Sequence, residues 1–340
     1  MSILYLIQND THMKNFKTLM NENDKYIDLG KLTGQKLFGK ELLIGQEIFL
    51  PIENTNFFKL PPLERLLFVL KNRKKIKKEL STFKFKSVII GNDGALQKLI
   101  IESLPDKKIC IDMWLDGLIS LNSSKYLNTF KIINSKLFEY LNLAFFVPSV
   151  IGFYKKIRIL YVMHDSVLSE YKKFGLLINT NKIKPITFPR HKELLQKIKK
   201  LNSDRIIVLY LTSAWEFHGK TAEQQIQREQ ILDLINLFKD KKAISFRIRV
   251  HPRDSDDIYS NSDVSQWLSD SSNFEDDIIN SHFVISARST GLLEAEMISK
   301  KVIIYNKGFG DKYLNEYTQT LTRYDSTSEI LTLVTEYQIN

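Results

Sequence analysis

The strongest constraint on this chain's fold is an alternation that runs through both its halves. Short apolar runs with β character are each followed by polar turns and then by stretches with helical spacing. Ser2–Ile7, Lys86–Ile90, Lys108–Leu115 and Arg158–Met163 read as strands in the first half, and Arg205–Leu211, Ala243–Val250, His282–Ile285 and Val302–Tyr305 in the second. Ala95–Ser103 and Thr221–Phe238 have helical spacing, and Thr221 with Gln224 has the pattern of a capping box. Shorter helices are expected at Val264–Leu268, Phe274–Ile279 and Gly291–Ser299. Strand–helix–strand connections of this length make right-handed crossovers between parallel strands, so the chain is predicted to be α/β. The stretch 167–203 breaks the rhythm with Lys- and Asn-rich sequence, Pro185 and Pro189. It is expected to link two Rossmann-like domains, 1–166 and 204–340, facing each other across a cleft. A length of 340 residues fits two domains.

Composition narrows the partners. Hydrophobic residues make up 43% of the chain, enough for a sizeable core, and the net charge is +10. That charge suits an anionic partner: a nucleotide sugar, an acidic glycan, a lipid surface or a nucleic acid. No nucleic-acid module accompanies it, so nucleic acid is not expected. The one cysteine, Cys110, excludes an internal disulfide and a Cys-based zinc site, fits a packing role and suits a reducing compartment. The start, Met1–Ile7, has no basic leader and reads as a strand. Leu137–Tyr154, the nearest approach to a membrane span, is interrupted by Glu139, Asn142 and Pro148 and reads as buried helix and loop. A cytoplasmic location is expected, with peripheral contact at the inner face of the plasma membrane as an extension of it. That extension rests on the basic run Lys71–Lys86, where Ile76, Leu80, Phe83 and Phe85 interleave with lysines. A solvated helix face and contact with anionic lipid both fit this run.

Chemistry should gather where strands end, because open parallel sheets bind ligands outside the carboxyl ends of their strands. Several strand ends carry suitable groups. Asp116-Gly117 follows the strand at 108–115, and Asp93-Gly94 follows the one at 86–90. Thr212 opens a turn containing His218 and Gly219. His251-Pro252 follows the strand at 243–250, and Ser289-Thr290 precedes the helix that begins at Gly291 and contains Glu294. A carboxylate at a strand end can accept a proton from a hydroxyl; Asp-Gly is equally at home in a turn or at a helix N-cap. An imidazole held by a following proline can meet charge growing on a leaving phosphate. Paired hydroxyls beside free helix amides can bind an anion or cap the helix. The turn Thr212–Lys220 reads as donor contact or surface loop. Asp254-Ser255-Asp256-Asp257 reads as a solvated loop with helix-cap character and Glu275-Asp276-Asp277 as surface, and no residue set has metal-ligand spacing.

Taken in order, Trp114-Leu115-Asp116-Gly117-Leu118, Leu209–Ser213 through Lys220, His251-Pro252 and Ser289-Thr290 with Gly291–Ala295 resemble motifs of bacterial sialyltransferases and related transferases of nonulosonic acids and Kdo. The resemblance spans roughly residues 108–305 and departs at Leu115, where these families often have a second acidic residue. It implies a GT-B fold and inverting transfer of sialic acid from a CMP-sugar to a glycan acceptor of O-antigen, lipooligosaccharide or capsule, lipid-linked in one version, with no other cofactor and no metal. Asp116 is implied as the base, with Asp93 as the alternative. His251 is implied as catalytic and as donor-binding together with Pro252, Ser289, Thr290, Glu294, Thr212, His218 and Gly219. Other donors fit the pattern too: CMP-Kdo, a UDP-sugar or CDP-glycerol. A non-catalytic glycan- or membrane-binding protein on the same fold is the alternative of another class.

Overall fold

The computed structural model describes residues 2–33, 37, 39–52, 57, 60–115, 125–141, 143–146, 150–163, 171, 180–198, 201, 203–215, 219–252, 254, 259, 262–271, 273–310 and 321–337. The chain forms two compact units, Met1–Arg190 and His191–Asn340.

The first unit is a seven-stranded, all-parallel sheet. Its strands are β1 (Ser2–Ile7), β2 (Lys25–Asp28), β3 (Gln46–Glu47), β4 (Phe85–Ile90), β5 (Cys110–Leu115), β6 (Ile157–Val162) and β7 (Ile183–Pro185). They lie in the order β3-β2-β1-β4-β5-β6-β7. β1 lies inside the sheet, and Leu4, Tyr5, Leu6 and Ile7 are all buried, as a strand covered on both faces must be. Alternation then sorts these side chains between two cores. Tyr5 and Ile7 pack with Met13 and Phe16 of helix α1 (Asp10–Phe16). Leu4 and Leu6 look onto the other core, with α3 (Pro62–Leu80) through Val69, Ile76 and Leu80, and α4 (Ala95–Ser103) through Leu96, Leu99 and Ile100. α2 is the single turn Gly30–Thr33. Fully burying such an aliphatic side chain contributes about 1.5–3 kcal/mol.

α4 is buried on every side from Leu96 to Ser103. α3 and a 3-10 turn at Ala144–Phe146 flank it, and α5 (Lys125–Tyr140) packs on that turn. The last turn of α5 opens the stretch Leu137–Tyr154, expected as buried helix and loop, yet Leu137, Tyr140 and Leu141 are exposed. Cys110 is only half-buried. β7 and α6 (Pro189–Gln196) fall within the stretch expected as linker, and the break between units comes at Arg190 and His191.

The second unit is a five-stranded, all-parallel sheet in the order β12-β11-β10-β8-β9. The strands are β8 (Ile206–Leu211), β9 (Ile244–Arg249), β10 (Phe283–Ser286), β11 (Lys301–Tyr305) and β12 (Thr322–Tyr324). Between them run α7 (Thr221–Phe238), α8 (Ser262–Ser265), α9 (Phe274–Ile279) and α10 (Gly291–Met297), with α11 (Thr327–Thr335) last. One core joins Val208, Tyr210, Phe283 and Ile285 to Ile231, Leu234 and Phe238 of α7 and to Ile330 and Val334 of α11. The expected capping box at Thr221 does not form: Lys220 occupies the N-cap without a side-chain bond, and Gln224 is buried. A true capping box closes α11 at Ser326 and Glu329. Among the described residues, no helix is long and apolar enough to cross a membrane.

Candidate functional site

Each sheet reverses its strand order at one place, and loops leaving the two strands there part to opposite faces and open a crevice. In the second unit the reversal lies between β8 and β10. The residues just past β8, β9 and β10 are Thr212, His251 and Ser289 with Thr290, so three of the expected donor-binding signals come to one sheet edge.

Hydrogen bonds tie these strand ends together. Thr212 is 2% exposed, and its Oγ1 accepts the His251 backbone N–H at 2.7 Å. The Thr212 N–H donates to the Arg249 carbonyl at 3.0 Å. The Thr212 hydroxyl thus positions the His251 loop instead of being presented to a ligand. Ser286 Oγ donates to the Leu211 carbonyl at 2.7 Å, and Ser213 Oγ donates to the Arg288 carbonyl, which locks the loop after β8 to the loop after β10. Ser289 Oγ accepts the Gly291 N–H at 3.2 Å, an N-cap-like turn, while Thr290 makes no side-chain cap bond and is exposed. One hydroxyl shapes the turn and the other is presented. Gly291 lets this turn sit against β8, because a Cβ there would lie 2.7 Å from Leu211 Cδ1 and 2.7 Å from Phe274 Cζ.

The loops rest on a neutral polar scaffold along α7. Gln227 accepts the Ser213 N–H at 2.7 Å and donates to the Tyr259 hydroxyl at 2.8 Å, to which Gln224 also donates at 3.0 Å. Burial raises the Tyr259 pKa, so the phenol stays neutral and can serve as the hub. Arg249, at the end of β9, pairs with the buried Asp277 at 3.0 Å and donates to the Ser271 carbonyl. Burial raises the Asp277 pKa, and Ser269 and Arg249 oppose that. Asp277 and Asp254 are buried, which corrects the solvated reading at these two positions; residues 255–258 lie outside the described residues.

Pro252 is exposed beside a half-buried His251. Glu294 is 3% exposed, in the first turn of α10, and so is not a surface carboxylate. Gly219 holds a left-handed φ of 66° with open space around it. Asp116 and His218 lie outside the described residues. Sequence reasoning overlooked Trp215, whose ring stacks on Phe309 at 5.6 Å with Lys220 and Arg288 over it at 5.2 and 5.8 Å. This places two cations and an indole beside the β8 and β10 loops. A tryptophan four residues past a strand end, in a turn, was the available signal. A groove of about 670 Å³ opens at the other end of this sheet, lined by Arg205, Lys241 and Arg247. It lies away from the strand carboxyl ends, where ligands bind in such sheets.

In the first unit the strand order reverses between β1 and β4. Here Gln8 Oε1 accepts from Asn92 Nδ2 at 3.0 Å and from Gln97 Nε2 at 2.6 Å. Gly91 passes so close to the His12 imidazole that any side chain would collide with it. Asp93, the alternative base, is 3% exposed and accepts the Gly152 N–H at 3.1 Å. Burial raises its pKa, opposed by Lys98 and by backbone N–H groups. Its carboxylate is tied to the interior, which argues against a role with an acceptor in solution.

No protein-family model and no curated protein matches the sequence. Solved structures do. The wall teichoic acid polymerase TagF, in a form soaked with CDPG, superposes with a TM-score of 0.54 at 11% identity, over 98% of this chain and 78% of that one. The glycotransferase of kitacinnamycin gives 0.58 at 7% identity, over 98% and 90%. A UDP-N-acetylglucosamine 2-epimerase gives 0.51 at 11% identity, over 99% and 86%. The architecture is therefore α/β of the GT-B class.

Proposed function

We propose that the chain is an inverting GT-B glycosyltransferase whose donor is a CMP-activated acidic sugar, sialic acid or a related nonulosonic acid, and whose acceptor is a hydroxyl of a bacterial surface glycan. The observation behind this reading is the convergence of Thr212, His251, Ser289 and Thr290 on the strand-order reversal of the second unit. In the proposed reaction Asp116, in the first unit, takes the proton of the acceptor hydroxyl as its oxygen attacks the anomeric carbon. The bond from that carbon to the CMP phosphate breaks. The departing phosphate is met by His251 and Thr290, with Ser289 shaping the turn and Thr212 holding the His251 backbone. α10 is only two turns long, so its dipole adds little, and the side chains carry the stabilisation. Arg288 and Lys220, braced on Trp215, are suited to an anionic donor. The work is proposed to need no metal ion and to take place in the cytoplasm.

A second reading has one specific support: the superposition on TagF, including the form soaked with CDPG. In that reading the donor is CDP-glycerol and the group transferred is a phosphoalcohol. Nucleotide release from CMP-sialic acid, CMP-Kdo, CDP-glycerol and UDP-sugars, measured in EDTA, separates the readings. CMP release from CMP-sialic acid alone is expected, with His251→Ala lowering it about 100- to 1,000-fold. Asp116→Asn should lower transfer about 100- to 10,000-fold while nucleotide binding persists. Turnover of only a UDP-sugar or CDP-glycerol would reject the sialic acid donor. Binding without any turnover would leave a glycan-binding module on the same fold.

A further inference from the structure

The net positive charge of this protein comes from one unit. Residues 1–190 hold 30 of the 49 lysines and arginines against 17 of the 39 acidic residues, a net of +13; residues 191–340 hold 19 against 22, a net of −3. The donor loops proposed above belong to the acidic unit, so the charge has another use. Its densest run, Lys71 to Lys78, lies on the C-terminal half of α3. Leu63, Leu67 and Leu70 stand on the same helix at i, i+4 and i+7, each more than half exposed, and Lys74 and Lys78 continue that face. α5, which packs beyond α4 on the same face of the sheet, shows a longer stripe: Tyr126, Phe130, Ile133, Leu137 and Tyr140, all more than half exposed. Its one acidic residue, Glu139, is buried and accepts from Ser135 and the Lys155 N–H. Arg73 lies over the Phe145 ring at 5.2 Å, joining α3 to the turn on which α5 packs. Lys107 and Lys156 crowd the same edge: burial pushes the Lys107 pKa down, and nearby Lys156, Lys77 and Arg73 add to it.

We propose that this outer face of α3 and α5 seats on an anionic phospholipid bilayer. The apolar stripe enters the interface, the two tyrosines near the ends of α5 lie at headgroup level, and the α3 lysines meet lipid phosphates. A soluble polyanion would use the lysines and leave eight large apolar side chains in water. A second copy of the chain would set like charge against like charge, with no exposed acid on α5 to answer it. The inference is independent of which donor the second unit takes.

Co-sedimentation of the full chain with vesicles tests it. Vesicles mixing phosphatidylglycerol with phosphatidylcholine are expected to bind the chain about tenfold or more tightly than phosphatidylcholine alone, with binding falling as salt rises. Phe130→Ser with Leu137→Ser should weaken binding to the mixed vesicles about tenfold or more. Lys74→Glu with Lys78→Glu should remove most of the preference for anionic lipid and flatten its salt dependence. All four side chains are exposed, and unchanged thermal melts will show that the fold survives. The proposal is overturned if the unaltered chain ignores anionic vesicles. It also fails if the Phe130 and Leu137 pair abolishes a dimer in solution without changing vesicle binding.

Discussion

Both units bury a helix against a parallel sheet, yet the polar groups buried with that helix have opposite chemistry. In the first unit the buried helix is α4, and the polar groups buried on and around it are ionisable: Asp93, Lys98, Glu102 and Glu139 are all at most 4% exposed. Burial raises the pKa of each acid and lowers that of Lys98, whose ammonium lies over the Tyr154 ring at 5.7 Å and is held up by Asp93, Glu139 and Glu102. In the second unit the counterpart is α7, and its buried polar face is neutral. Gln224 and Gln227 serve Tyr259 and Ser213, while Gln230 accepts from the Tyr210 hydroxyl at 2.9 Å and donates to the Tyr305 and Lys307 carbonyls. A neutral amide scaffold keeps its geometry when charge arrives nearby. That suits loops proposed to hold an anionic donor through a change in its charge. A buried ionic cluster is rigid only while its charges balance.

The largest effect should come from unbalancing that cluster. Lys98→Met keeps roughly the volume and removes the cation, leaving Asp93 and Glu139 buried without it. A loss of about 3–5 kcal/mol is expected, read as lost amide-exchange protection in β4, α4 and β5. Adding Asp93→Asn should recover part of it, and no recovery would mean the two groups are not coupled. A smaller effect is expected from Gln227→Leu in the second unit. It strands the buried Ser213 N–H and removes a donor to Tyr259, costing about 1–3 kcal/mol. Donor binding should weaken with it, because Ser213 also ties the β8 loop to Arg288. Equal losses from both substitutions would erase the contrast between charged and neutral scaffolds.

How much of this was legible in the sequence follows from what periodicity reports. Ser2–Ile7, Ala95–Ser103 and Phe274–Ile279 are read to the residue, since polar turn residues end the first and flank the other two. β2 and β3 are missed because four and two residues of mixed polarity make no pattern. The apolar run that opens at Leu137 reads as buried, but an apolar run does not say whether the protein covers it. Hence the end of α5 was expected to be buried and is exposed. The converse error touches the site: Asp254, Asp277 and Glu294 look like surface carboxylates in sequence and are buried; for Asp277 the partner, Arg249, comes from a distant segment that local sequence does not reveal. The strand-end rule placed His251, Ser289 and Thr290 at the carboxyl edge of the sheet, where the structure has them, since topology alone decides that. It could not tell that Thr212 points back to hold His251.

The smallest effect is a pH dependence in the second unit. His282 is buried beside β8, and its Nδ1 accepts the Ile207 N–H at 2.9 Å, so the neutral ring carries its proton on Nε2. Burial lowers its pKa below the ordinary 6.5, and Lys300 adds to that. The unfolded chain therefore binds a proton that the folded chain refuses, in the window between the lowered value and 6.5. Stability contributed by neutral His282 is complete above 6.5 and is lost as pH falls through that window, with a slope of at most about 1.4 kcal/mol per pH unit for one proton. The buried acids Asp93, Glu102 and Glu139 have raised pKa values and act in the opposite sense: on acidification they take up protons in the folded state first, which favours folding. Asp277 does the same within the second unit and offsets part of the His282 effect. The measurement is therefore made as a difference, comparing amide exchange of β8 and β10 in the unaltered chain with that in His282→Gln, from pH 7 downward. The unaltered chain should lose protection faster below 6.5 than the variant. Parallel curves would show that His282 titrates alike in the folded and unfolded chain, and would remove it from the contrast between the two units.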